Sequence, residues 1–150
     1  MLGPLSSSQI DLLLTSQLIG RIGFRFEKRI YIVPVAFAYS DGVIYAQSQE
    51  GFKIKAMRTS PEVCFEVESI DDMRNWRCAM VWGNFEELKK PADKQKAVAM
   101  LQEKLSPFVL SETLKDLHNG KSGNGVRKPK RTILYRIVVK EKDGRYEKRI

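Results

Sequence analysis

The sequence predicts a mainly β fold: about six antiparallel strands closed into a small barrel, with helices at its periphery. Three observations carry that expectation. Segments rich in β-branched and aromatic residues, such as IYIVPVAFAY (30–39) and TILYRIVVK (132–140), recur along the chain. The turn signals Ser40-Asp41-Gly42 and Lys142-Asp143-Gly144 join segments adjacent in sequence, as hairpins require. Helical patterns are few, so strand does not alternate with helix as it does in parallel sheets. With 150 residues, 43% hydrophobic and 29% charged, the chain can bury a core without disulfides. No internal repeat or domain boundary is visible, so residues 1–150 are read as one domain.

Each element follows from its local pattern. Ser8-Gln9-Ile10-Asp11 has capping-box spacing, and Ile10, Leu13 and Leu14 recur at helical intervals, which predicts a short helix over about 7–17. Residues 19–26 (IGRIGFRF) alternate as a strand, Glu27-Lys28-Arg29 is a turn, and 30–39 is a longer strand. Pro34 has no amide hydrogen, so its mid-strand position predicts a bulge or a locally unpaired edge. The Ser40-Asp41-Gly42 turn leads into VIYAQ (43–47), and 50–59 suits a short helix ended by Pro61. In EVCFEVE (62–68), Val63, Phe65 and Val67 share one face, while Glu62, Glu66 and Glu68 share the other. Residues 69–75 read as a polar loop, and 76–88 as a strand with a bulge at Gly83. Pro91 opens a helix over 92–105 with Ala97, Leu101 and Leu105 on one side. A weaker helix over 111–117 and a mobile basic loop over 118–131 precede the strand at 132–140. A turn at 142–144 then leads to a short terminal strand.

Charge and composition exclude several classes. Residues 1–117 hold 15 Lys/Arg and 15 Asp/Glu, whereas residues 118–150 hold 11 basic and 3 acidic side chains and so carry the whole net +8. Such a tail suits nucleic acid, an acidic membrane surface, a phosphorylated ligand or plain solvation. No nucleic-acid motif or aromatic interleaving accompanies it, which argues against a nucleic-acid partner. No apolar run approaches the length of a membrane span, and MLGPLSSSQIDLLL lacks the pattern of a signal peptide, so no membrane role and a cytoplasmic setting are expected. His118 is the only histidine, which leaves almost nothing for a histidine metal site or a Ser-His-Asp triad. Cys64 and Cys78 have neither C-x-x-C nor metal-ligand spacing and are expected as reduced, buried thiols.

Candidate chemistry is sparse. Gly120-Lys121-Ser122 looks like the end of a phosphate-binding loop, but Lys115 stands where that motif needs glycine. The junction YAQSQEGFKIKAMR (45–58) is a better anion site. Ser48 is expected to cap a helix starting near Gln49, Gly51 allows close approach, and Lys53 can reach back over free N–H groups. A capped surface helix with solvated lysines accounts for the same spacing, so the residues alone leave both readings open. Glu66/Glu68, Asp71-Asp72 and Glu86-Glu87 read as solvated carboxylates. Trp76 and Trp82 share a strand face and are expected in the core, with a place beside a flat cofactor as the alternative. Cys64 shares the face of Glu66, a poor setting for a reactive thiolate.

Five blocks stand in an order that resembles one known family: LSSSQIDLLLTSQLIGRIGF (5–24), IYIVPVAFAYSDGVIYAQS (30–48), EGFKIKAMRTSPEVCFEVE (50–68), WRCAMVWGNFEEL (76–88) and DGRYE (143–147). The chain resembles the FMN-binding split-barrel proteins related to pyridoxamine 5′-phosphate oxidase, and within them the branch of the nitroimidazole-resistance proteins. The resemblance implies FMN as cofactor, with FAD or haem as alternatives. It also implies a homodimer holding the flavin at the subunit interface. The implied activity is that of a flavin-dependent oxidoreductase acting on a small molecule, with NAD(P)H as a candidate donor. A non-enzymatic flavin- or haem-binding or sensing protein is the alternative. Position by position, the resemblance places Lys53 on the FMN phosphate and Gln47 and Ser48 on the strand end beside it. Val35, Ala36 and Phe37 fall along the isoalloxazine, largely through backbone groups, and Cys78 falls near the cofactor. It names no catalytic residue. Gln47 stands where relatives often carry histidine. Tyr31 and Ala36 stand where the oxidase proper has an arginine and a lysine, so the resemblance does not extend to that enzyme's own substrate.

Overall fold

The computed structural model describes residues 1–108 and 131–150. The expected 111–117 helix, residues 118–130 of the basic loop, His118 and Gly120-Lys121-Ser122 lie outside the described residues. In order, the elements are β1 (Leu2–Pro4), α1 (Ser7–Ser16), β2 (Ile19–Phe26), β3 (Arg29–Ser40), β4 (Val43–Gln49) and α2 (Phe52–Thr59). Then follow β5 (Glu62–Asp72), β6 (Asn75–Glu87), α3 (Pro91–Leu105) with a 3₁₀ turn at Ser106–Phe108, and β7 (Thr132–Glu147). The strands form one antiparallel sheet in the order β1-β7-β4-β3-β2-β5-β6, and β6 also pairs with β7. That last pairing closes the sheet into the expected barrel and hides strand edges that would otherwise be open to other chains.

Alternation along each strand sends one set of side chains inward. Ile22 and Phe24 from β2, Val35 and Phe37 from β3, Val63, Phe65 and Val67 from β5, and Val81 from β6 fill the interior. Two helices add to this core, α1 through Ile10, Leu13 and Leu14 and α2 through Ile54, Ala56 and Met57. An eight-residue helix such as α2 is too short to persist alone, so those three buried side chains hold it in place. The third helix, α3, lies on the outside of the sheet, with Leu101 and Leu105 against Ala38 and Ala97 against Tyr45.

Several local expectations change in the folded chain. The cap of α1 is Ser6 rather than Ser8: Ser6 Oγ accepts from the Gln9 amide at 3.2 Å, and Gln9 Oε1 accepts from the Ser6 amide at 2.8 Å. Asp41 and Gly42, at φ 54° and 77°, make the left-handed two-residue turn that a twisted hairpin prefers. Pro34 causes no bulge, because its register with β2 runs through Arg21 unbroken. Pairing of β3 with β4 covers only Phe37 to Ser40, so Pro34 lies on an unpaired edge stretch. The polar loop of 69–75 is instead the extension of a hairpin. Its two strands continue to Asp72 and from Asn75, and Asp72 Oδ1 accepts from the Arg74 amide at 2.7 Å. No reversal occurs at 142–144: β6 pairs with β7 as far as Glu147, which keeps that strand in one piece. A shift in the β6–β7 register does fall at Gly83, where Lys140 is the extra residue between the partners of Trp82 and Gly83. The short β1 has no strand period of its own and exists because the end of β7 pairs with it from Glu147 back to Arg145.

Candidate functional site

The β4–α2 junction differs from its sequence reading in a way that matters for anion binding. Gln47 and Ser48 belong to the strand, paired with Leu134 and Ile133 of β7, and both are half-buried. Because that ladder runs to Gln49, the helix starts only at Phe52, with Gly51 as its N-cap and no side-chain cap. Ser48 is therefore not the cap. The first amides of α2 lack a side-chain acceptor and carry the positive end of the helix. Lys53 is the second residue of this helix and is half-buried. It makes no hydrogen bond or ion pair among the described residues, and burial pushes its ammonium below the usual lysine range.

Arg58, one and a half turns along the same helix, is engaged instead. Its Nη1 and Nη2 donate to Glu50 at 2.5 and 2.9 Å, and its Nε donates to Glu87 at 2.7 Å. This ties the turn before α2 to the end of α2 and to β6. The Glu50 amide also donates to the Arg131 carbonyl at 2.7 Å. The junction is thus a fixed turn in which Arg58 is neutralised and Lys53 is not.

Along β3, Val35 and Phe37 point into the core, and Ala36 points out toward Leu101 and Leu105. Val35 and Phe37 can therefore meet a ligand outside the barrel only through their backbone groups, and Ala36 is partly covered by α3. The sequence reading missed Lys104. Its Nζ lies 4.0 Å from the centre of the Phe37 ring and 3.5 Å from the Leu14 carbonyl at the end of α1. Burial lowers it to about 8. Only the folding of α3 across the end of α1 makes that contact, so no local pattern announces it.

Cys78 belongs to a different surface, the outer face of β2, β3, β5 and β6. There a groove of about 470 Å³ is lined by Arg21, Ile32, Glu66, Trp76, Cys78 and Met80 among others. Arg21 Nη1 is 2.7 Å from Glu68 Oε1 but 3.6 Å from Glu66 Oε1, which is buried without a hydrogen-bond partner. Burial, then the hydrogen bond and charge of Glu68, raise the Glu66 carboxyl to about 7, against the opposing pull of Arg21. Glu66 is therefore not the solvated carboxylate its spacing suggests. Burial, followed by the charges of Glu66, Glu68 and Asp143, raises the Cys78 thiol, which keeps it protonated. Both cysteines are free, and they are half-buried rather than buried. Trp76 and Trp82 share a face as expected, but it is this outer face and not the core. Trp76 Nε1 donates to Glu147 at 3.2 Å, and Trp82 is 38% exposed.

Among the described residues no three His, Cys, Asp or Glu side chains gather as a metal site, and no helix is long and apolar enough to cross a membrane. The family model for pyridoxamine 5′-phosphate oxidase matches residues 6–145. The chain belongs to this family. Within its fold, the chain is similar to a FAD-binding protein of Mesorhizobium loti at 26% identity and a TM-score of 0.75, covering 97% of this chain and 98% of that one. A FAD-binding protein of Mycobacterium smegmatis shares the fold at 20% identity and TM-score 0.67, covering 96% and 97% of the two chains. A candidate 5-nitroimidazole antibiotic resistance protein of Bacteroides thetaiotaomicron shares it at 16% identity and TM-score 0.72, covering 97% and 87%. An uncharacterized protein of Rhizobium meliloti is 36% identical over 58 residues, which span 39% of this chain and 38% of that protein.

Proposed function

We propose that this chain binds a flavin by its phosphate at the β4–α2 junction and acts as a flavin-dependent oxidoreductase on a small molecule. The observation that carries this reading is Lys53. Burial makes its charge costly, no described residue offsets that cost, and it stands in the first turn of a helix without a side-chain cap. A phosphate supplies the missing anion, and the free amides of that turn are suited to its oxygens. Gly51 has no side chain to obstruct the approach, and Gln47 and Ser48 offer hydrogen bonds to the adjoining part of the ligand. Ala36 and the β3 backbone flank the ring. A bound flavin supplies the two-electron chemistry, while these residues hold and orient it.

FMN is the flavin the family resemblance implies. The two solved relatives described as FAD-binding favour FAD as a second reading, and either flavin carries a phosphate for Lys53. The reading includes a homodimer, NAD(P)H as electron donor and a cytoplasmic setting. The visible spectrum of the purified protein tests the core of it. A flavin band is expected, with chromatography of the released cofactor separating FMN from FAD, and anaerobic bleaching by NADH or NADPH is expected for a reductase. Bound flavin that neither nucleotide nor any small acceptor turns over would favour a binding or sensing role. A Soret band, or colourless protein that takes up neither flavin, would overturn the reading.

A further inference from the structure

The outer face of β2, β3, β5 and β6 combines exposed apolar side chains with a carboxyl pair that plain solvation does not explain. Ile32 is 72% exposed and Ile70 66%, and they line the groove around Arg21, Glu66 and Glu68. Ile30, 70% exposed, and Trp82 continue the face into an adjoining groove of about 360 Å³ that shares Gly23 and Cys64 with the first. Together these side chains expose on the order of several hundred Å² of apolar surface, the size of the largest patch on a typical monomer, which is often a functional one. It approaches the roughly 800 Å² per partner of a stable interface.

The charges at the centre of this face nearly cancel only if one carboxyl keeps its proton. Arg21 provides one positive charge for Glu66 and Glu68, and it sits within hydrogen-bond distance of Glu68 only. With Glu66 protonated, its hydroxyl can donate to Glu68 and the three groups sum to zero. The neighbours do not change this balance. On β6, Met80 and Cys78 stand opposite Glu66 and Glu68, and on β7 the next residues across are Asp143 and Arg145, of opposite charge. On β2, Gly23 lies beside Arg21, and on β3, Ile32 and Pro34 oppose Gly23 and Arg21 without charge.

We propose that a second copy of this chain covers this face, and that assembly takes up a proton at the Glu66–Glu68 pair. The inference rests on the homodimer reading above and adds its regulation: the dimer tightens as pH falls and loosens as pH rises. Covering the groove removes the water that still reaches the pair, so ionising both carboxyls costs more in the dimer than in the monomer. Because each copy in a two-fold dimer brings the same patch, two pairs are covered. Above the pKa of the free pair, dissociation strengthens by up to about tenfold per pH unit for each pair, hence up to about a hundredfold for both.

The test is the dimer dissociation constant of the flavin-loaded full chain, measured by sedimentation equilibrium at constant ionic strength from about pH 6 to about pH 8. We expect dissociation to strengthen at least tenfold over that range. Glu66→Gln should abolish the dependence and hold the affinity near its low-pH value, while Ile32→Glu should dissociate the dimer. A dimer whose affinity is the same at every pH, or whose pH dependence survives Glu66→Gln, overturns the proton linkage and leaves the homodimer standing. A dimer unaffected by Ile32→Glu overturns the assignment of the face. A chain that is monomeric at every pH overturns the homodimer reading and this inference together. Far-UV circular dichroism checks each variant. If Glu66→Gln does not fold, Glu68→Gln reports on the same pair, and the wild-type pH series decides by itself.

Discussion

Lys53→Met separates a phosphate anchor from a structural lysine, because it should move stability and affinity in opposite directions. Methionine keeps most of the apolar stem and removes the ammonium. Without ligand, that ammonium is half-buried in the first turn of α2 with no anionic partner among the described residues, and its pKa is depressed by burial. The sign follows from that depression. The penalty on the charged form is in full force below the folded pKa and vanishes only above the unfolded value, so it acts at neutral pH. Removing the charge therefore raises the melting temperature of the flavin-free protein. With FMN bound, the same charge faces a phosphate, and a charge-assisted hydrogen bond of about 1.5–3 kcal/mol is lost. FMN affinity should fall about 10- to 150-fold. Riboflavin has no phosphate and should bind the variant as it binds the wild type. Fluorescence titrations with both flavins, alongside thermal melts of the flavin-free proteins, make the comparison. Equal losses for FMN and riboflavin would mean that Lys53 shapes the site without meeting the phosphate. Unchanged FMN affinity would place the phosphate elsewhere.

Three further substitutions test the packing and electrostatics. Tyr135 is fully buried, with its ring centre 5.2 Å from that of Phe85 and its hydroxyl without a partner among the described residues. Tyr135→Phe should stabilise by about 1–2 kcal/mol and raise the melting temperature by a few degrees, and a lower one would reveal a partner for the hydroxyl. A Cβ at Gly83 would lie 2.3 Å from the Val138 carbonyl oxygen across the β6–β7 irregularity. Gly83→Ala should cost about 1–3 kcal/mol in denaturant unfolding, and a neutral result would mean that the two strands can separate there without loss. Glu66 is raised from 4.5 to about 7, so the folded chain is most stable when this group is protonated and loses stability as pH rises through that range. Melts of Glu66→Gln should exceed wild type at about pH 8 and match it at about pH 4, whereas parallel pH curves would refute the shift.

Much of the barrel is legible in local pattern. Alternation in 62–68 identifies Val63, Phe65 and Val67 as core residues, the Asp41-Gly42 turn sets the β3–β4 hairpin, and Pro91 marks the start of α3. Such features depend on a few consecutive residues and need no distant partner. The ends of strands are different. Nothing within 132–147 says that it is one strand, and nothing in Leu2-Gly3-Pro4 says strand at all, because the pairing with β6 and with β7 itself decides both.

The same division runs through the site. Glycine, lysine and a helix start are visible in YAQSQEGFKIKAMR, and a family resemblance sharpens their meaning. Which of its cations remains unneutralised is not visible there, because Glu87 reaches Arg58 from 29 residues away and Glu50 from 8 residues away on the other side. Glu66 and Glu68 share a face by simple alternation. That Glu66 holds its proton near neutral pH depends on burial beside Ile32 and Met80, brought there by two other strands, which together with Glu68 outweighs the opposing charge of Arg21 from a third. Periodicity, a property of one segment, located most of the strands and helices and their apolar faces, but not where the strands end. Tertiary structure alone decided which charges are neutralised and which stay exposed to a ligand or a partner, since solvation and ion pairing depend on residues far apart in the chain.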